Sequence, residues 1–193
     1  MNQAIRCDMP LQASLLTTTE LVSPSQWLKE LVWRYQAGIS QLPRYMGLGA
    51  DVYHQLLQVC DTQPVVIGLL QQQRQTLLSE LLAMREQECQ ELAQWLTGYQ
   101  QPDAAPMAQI IAVASMGFNH LWQDLGLDSR QSLRELMQCC FPELVAMNSQ
   151  NMRWKKFFYR QQCSLGGNYV CRSPSCDECV ERASCFAPEE AVL

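Results

Sequence analysis

Four thiols fall within fifteen residues near the C-terminus, in the order Cys171-x4-Cys176-x2-Cys179-x5-Cys185. Cysteine thiolates are soft ligands, suited to zinc and to iron–sulfur clusters. The residues around them include few apolar side chains, Val170, Val180 and Phe186 among them, too few for a core of their own. A metal centre would supply the missing staple. Structural zinc usually takes two Cys-x2-Cys knuckles, and only Cys176 and Cys179 form one here. The first three cysteines instead match the Cys-x4-Cys-x2-Cys run of plant-type iron–sulfur ligation, with the fourth close by rather than far downstream. Pro174 would stiffen such a loop. The spacing favours iron–sulfur over zinc.

Further ligands are scarce. Cys163, eight residues before the loop, is a candidate for an additional ligand or a structural thiol at a helix end. His120 is the other candidate, read first as a satisfied histidine on an apolar helix. With only His54 and His120 in the chain, His-rich metal sites are excluded and His-dependent triads are disfavoured. His54 has no evident partner. Cys60, Cys89, Cys139 and Cys140 sit in predicted helices and are assigned to packing, and Cys7 is incidental.

Compartment decides what ten cysteines mean. Met1 to Glu20 shows no apolar stretch leading to a small-residue cleavage site. The uncharged run from Ala104 to Gln123 is interrupted by Gln109, Ser115, Asn119 and His120, so no membrane span is expected. A cytoplasmic chain keeps its thiols reduced, and clustered thiols there point to metal rather than disulfides. The formal charge of −5, from 14 bases against 19 acids, argues against a globally basic nucleic-acid-coating protein.

The elements that must hold this loop read as helices. Residues 1–20 form a loosely ordered tail. Ser23-Pro24-Ser25-Gln26 is a helix start, with Ser23 as cap, Pro24 at the first position and Gln26 closing a capping box. Trp27, Leu28, Leu31, Val32 and Tyr35 follow at helical spacing, and Gly38 is the stop. A short helix covers Asp51 to Cys60. Val66 to Thr97 reads as one long helix with a stripe of Leu70, Leu77, Leu81, Met84, Leu92 and Trp95. Pro106 opens a helix running to Leu125, apolar nearly all round and expected at the centre. Asp128 begins the next, which Pro142 breaks or kinks, and Asn151 to Cys163 is the last. Gly47-Leu48-Gly49 lacks the third glycine and preceding strand of a phosphate loop. The fold class is all-α: a helical bundle over 21–163, followed by a cysteine-rich, cluster-binding segment over 164–193.

The last helix has its own chemistry. Arg153, Lys155, Lys156 and Arg160 interleave with Trp154, Phe157, Phe158 and Tyr159, with no acid between. These bases, with Arg172, would face water beside packed aromatics, stabilise an anionic cluster, or dock an acidic partner. The pattern carries no zinc-ribbon, RRM or helix-turn-helix signature, so no nucleic-acid partner is expected.

The run Asn151-Met-Arg-Trp-Lys-Lys-Phe-Phe-Tyr-Arg160, followed by the cysteine loop with Cys171-Arg172-Ser173-Pro174-Ser175-Cys176, resembles the NifQ family. Met107-Ala-Gln-Ile-Ile111 and Phe118-Asn-His-Leu-Trp122 are similar to it as well, and the likeness runs from about Trp27 to Phe186. The resemblance implies an iron–sulfur protein, not a turnover enzyme, that acquires molybdenum as a mixed molybdenum–iron–sulfur cluster of the 3Fe–4S or 4Fe–4S type. It implies delivery to nitrogenase iron–molybdenum cofactor assembly, with the scaffold complex NifEN and the iron protein NifH as partners. Molybdate or a molybdenum supply protein stands upstream. The family's cluster motif falls on Cys171, Cys176, Cys179 and Cys185. Three thiols are expected to hold iron, leaving one corner for the heterometal or for exchange. The alternative class is a zinc-stabilised adaptor that binds protein or nucleic acid through the basic helix.

Overall fold

Nine α-helices and two 3-10 turns make up the residues described in the computed structural model, 23–164 together with Ala183, and these contain no strand. The expected tail and the four loop cysteines lie outside the described residues. The helices are α1 (Pro24–Gln36), α2 (Ala50–Val59), α3 (Leu69–Ala83), α4 (Glu86–Thr97), α5 (Met107–Ser115), α6 (Leu121–Asp124), α7 (Arg130–Cys140), α8 (Pro142–Met147) and α9 (Trp154–Ser164).

Helix α1 forms as its sequence dictates. The Ser23 hydroxyl accepts from the Gln26 N–H, and Pro24 occupies the first position. All five apolar residues expected to face inward, from Trp27 to Tyr35, are buried. The helix ends in a paired cap: Gly38 N–H donates to Tyr35 C=O and Ile39 N–H to Arg34 C=O. Helix α5 occupies the centre, with eight of its nine residues buried and only Gln109 outside. Gly47 passes so close to it that a Cβ would meet both Val113 methyls at 2.7 Å, which is packing rather than phosphate binding.

Three expectations fail, each for a local reason. The long helix over 66–97 is two helices, starting only at Leu69 and interrupted at Met84 and Arg85. No glycine or proline marks the break. There Arg85 takes φ −122° and turns its guanidinium onto Glu88, the first turn of α4. Most of the anticipated stripe on α3 faces water, and the buried side chain of that helix is Gln75. The helix from Pro106 stops at Ser115 rather than Leu125, resuming as the single turn α6.

At α7 the cap is Ser129, whose hydroxyl accepts from the Ser132 N–H at 3.1 Å. Asp128 is drawn off by Arg34. That buried guanidinium donates to both Asp128 oxygens (2.9 and 2.8 Å), to Gly126 C=O (2.5 Å) and to Glu30 (2.6 Å). One side chain thereby fixes α1 to the turn before α7.

Replacing Arg34 by Met strands the buried Glu30 carboxylate and should cost about 3 kcal/mol in a urea titration. Arg34 also holds the Asp128 carboxyl below the usual carboxylate range. The stability this pair supplies is complete above about pH 4 and is lost as pH falls through the lower, folded value. Asp128→Asn should therefore flatten that acid limb of the stability curve.

Candidate functional site

The cysteine segment continues directly from α9, so the site is built from what holds α9. Its approach is locked first. The Asn148 amide donates to Met152 C=O and accepts from Met152 N–H, both at 2.8 Å. Trp154, Phe157 and Phe158 then enter the core, meeting one another at ring-centroid distances of 5.6 to 6.0 Å. Phe158 also meets Trp95 of α4 edge-on at 6.2 Å. Such contacts contribute beyond the area they bury.

The polar residues of α9 finish the attachment at one place, the C-terminal end of α5. A helix leaves its last carbonyls without intrahelical donors. Here three consecutive carbonyls receive donors from elsewhere. Tyr159 Oη donates to Ser115 C=O at 3.2 Å, Arg85 Nη1 to Met116 C=O at 2.8 Å and Lys155 Nζ to Gly117 C=O at 2.9 Å. Two of the three donors are cations, which also suits the negative end of the helix dipole. Arg85 Nη2 donates to Tyr159 Oη at 2.8 Å, linking α4 to α9. Burial raises the Tyr159 hydroxyl above its ordinary pKa, so it stays a neutral donor.

Lys155 is thereby turned inward. Its ammonium meets Asp124 Oδ2 at 2.5 Å, with the Lys155 side chain 16% and the Asp124 side chain 1% exposed. The other Asp124 oxygen accepts from Asn119 Nδ2 at 2.9 Å. Gly117 is required beside it, because a Cβ there would stand 2.5 Å from Asp124 Oδ2. Of the bases expected to face outward, Lys156 and Arg160 are exposed, Arg153 is half-buried and Lys155 is committed to the interior. Arg172 lies outside the described residues. Asp124 and Arg85 escaped the sequence reading. A signal existed for Asp124, the one acid in the apolar stretch 107–127, which once buried must be paired.

His120 is half-buried at the N-cap of α6, where its backbone N–H donates to Gln123 Oε1 at 3.1 Å. That corrects its placement on the face of an apolar helix. Cys163 lies in the last turn of α9. Cys60, Cys89 and Cys140 are buried and Cys139 half-buried. Burial pushes all four thiols up, Cys89 to about 11, so they stay protonated and poorly suited to metal. Among the described residues no cluster of His, Cys, Asp or Glu could hold a metal ion. No described helix is long and apolar enough to cross a membrane.

Comparison with known proteins points in one direction. The family model NifQ matches residues 27–187, a span that ends just beyond Cys185. Protein NifQ of Klebsiella pneumoniae is 52% identical over 164 residues, 84% of this chain and 98% of that protein. Protein NifQ of Azotobacter vinelandii is 40% identical over 171 residues, 84% of this chain and 88% of that one. Protein NifQ of Rhodobacter capsulatus is 50% identical over 104 residues, covering 54% and 58% respectively. No solved structure matches the chain.

The attachment of α9 is testable by stability. Lys155→Met leaves the buried Asp124 carboxylate without its cation and should cost about 3 kcal/mol. Adding Asp124→Asn should restore about half of that loss, since the stranded charge is then gone. Tyr159→Phe removes one bridging hydroxyl and should cost about 1 kcal/mol. Urea unfolding followed by circular dichroism measures all three.

Proposed function

The chain belongs to the NifQ family, and from that premise we propose that it carries molybdenum for nitrogen fixation: an iron–sulfur protein that acquires the metal and donates it to assembly of the nitrogenase iron–molybdenum cofactor. It acts as a cytoplasmic carrier rather than as a turnover enzyme. The cargo is a mixed molybdenum–iron–sulfur cluster, received as molybdate or from a supply protein and passed to the NifEN scaffold with NifH.

One observation carries this reading: four thiols at Cys-x4-Cys-x2-Cys-x5-Cys spacing inside the span that the family model matches. The donor set fits the cargo, since soft thiolates suit iron in clusters and molybdenum in sulfide surroundings. Cys171, Cys176, Cys179 and Cys185 would hold it. Cys60, Cys89, Cys139 and Cys140, buried or half-buried and held protonated, are poor competitors. Fully ionised, the four thiols bring four negative charges, which Arg160 and Arg172 would offset. Exposed Lys156 is the base that best suits docking an acidic acceptor. The aromatic and ionic attachment of α9 suits a carrier, because it gives the segment that follows a fixed base.

Anaerobically isolated protein should contain iron and sulfide, and molybdenum when molybdate is supplied to the cells. Cys176→Ala should lose or convert the cluster while helical circular dichroism stays near the original, and Cys89→Ser should keep it. Stoichiometric zinc without iron, under conditions where iron–sulfur assembly is active, would instead support the adaptor reading and overturn this one.

A further inference from the structure

From Arg130 to Arg160 the chain carries six bases against two acids, and elsewhere eight bases against seventeen acids. The structure sorts those six. Lys155 is withdrawn onto Asp124. Arg153, Lys156 and Arg160 fall at i, i+3 and i+7, on the side of α9 away from buried Trp154, Phe157 and Phe158. Of the two acids, Glu135 is half-buried and accepts from Gln131 at 2.9 Å, and Glu143 sits on α8.

Arg130 and Arg134 lie one turn apart on α7, and both reach the turn that opens α9. Arg130 Nη2 donates to Asn151 C=O at 2.5 Å and Arg134 Nη1 to Asn151 Oδ1 at 3.4 Å. Asn151 takes φ +54°, a left-handed conformation that asparagine adopts more readily than most residues. It is exposed, so the two guanidinium groups are held at the surface and not drawn into the core. Two residues later Arg153 C=O accepts the first bond of α9, from the Phe157 N–H. The bases of α7 therefore run on into those of α9 across Asn151, with Arg134 and Lys156 both exposed.

We propose that this surface, running from Arg134 and Arg130 through Arg153 to Lys156, is a docking site for an acidic patch on another protein. It rests on the carrier reading above, under which that protein is the acceptor of the cargo, and it moves most of the contact from α9 onto α7. Arginine forks pair two-pronged with carboxylates, which suits a protein surface studded with Asp and Glu. A single-stranded nucleic acid is the poorer fit. Such strands stack on exposed aromatics, and Trp154, Phe157 and Phe158 are buried. A long polyanion would also overhang a molecule that is acidic everywhere else, whereas a compact acidic patch would not.

Fluorescence anisotropy of a labelled glutamate peptide of about 20 residues, titrated with full-length anaerobic protein in about 50 and 300 mM salt, tests the proposal. The peptide should bind at low salt and be released at high salt. Arg134→Glu and Lys156→Glu, each on an exposed position, should weaken binding severalfold singly and at least tenfold together. Either single variant serves should the pair fold poorly by circular dichroism. Lys29→Glu, an equal charge change at an exposed site on α1, should leave binding within twofold. Loss from Lys29→Glu as large as from Arg134→Glu overturns the proposal, and so does binding indifferent to all three. Tighter binding of a single-stranded RNA of equal charge overturns the choice of partner. Iron and molybdenum are measured on the same samples: their absence from protein that binds the peptide in the expected pattern overturns the carrier reading and leaves the docking surface standing.

Discussion

The end of α5 is the constraint on which the rest of this molecule depends. A helix with eight of its nine residues buried ends in carbonyls that lack intrahelical donors, and each one buried without a partner would cost on the order of 1–3 kcal/mol. Three distant side chains meet the need in succession, Tyr159 at Ser115, Arg85 at Met116 and Lys155 at Gly117. Two of them come from α9 and one from the junction of α3 with α4. Satisfying one helix end therefore ties three remote segments together.

That arrangement explains otherwise odd choices of residue. Lys155 can be desolvated only because Asp124 faces it, and Asp124 in turn is held by Asn119 and given room by Gly117. Removing any one of these would expose a charge or crowd one. Arg85 breaks what would otherwise be one long helix, because its guanidinium serves Met116, Glu88 and Tyr159 at once. The cost of that break is borne locally, and the return is a fixed α9. The chain reaches the cysteine segment from a base whose aromatic and ionic contacts leave it little freedom to swing.

The sequence was informative where a pattern is local and silent where a partner is remote. Ser23, Pro24 and the spacing from Trp27 to Tyr35 define α1 without help from the rest of the chain. The apolar character of 107–115 likewise announces a central helix. Asp128 looked like a cap and is an ion-pair partner, because Arg34, 94 residues away, competes for it and Ser129 can cap instead. The leucines of α3 looked like a core stripe because periodicity reports which residues share a face, not what covers that face. Lys155 belonged to a row of outward bases until Asp124, 31 residues earlier, was placed beside it. For the proposed metal site the legible part is the spacing of four thiols and the family to which the chain belongs, from which the proposed ligands are drawn.

The central claim is that those thiols hold molybdenum within an iron–sulfur cluster. X-ray absorption at the molybdenum K-edge of the anaerobically isolated protein addresses it most directly. The account predicts sulfur in the first shell of molybdenum and iron in the second. Molybdenum surrounded by oxygen alone, with no iron neighbour, would contradict it.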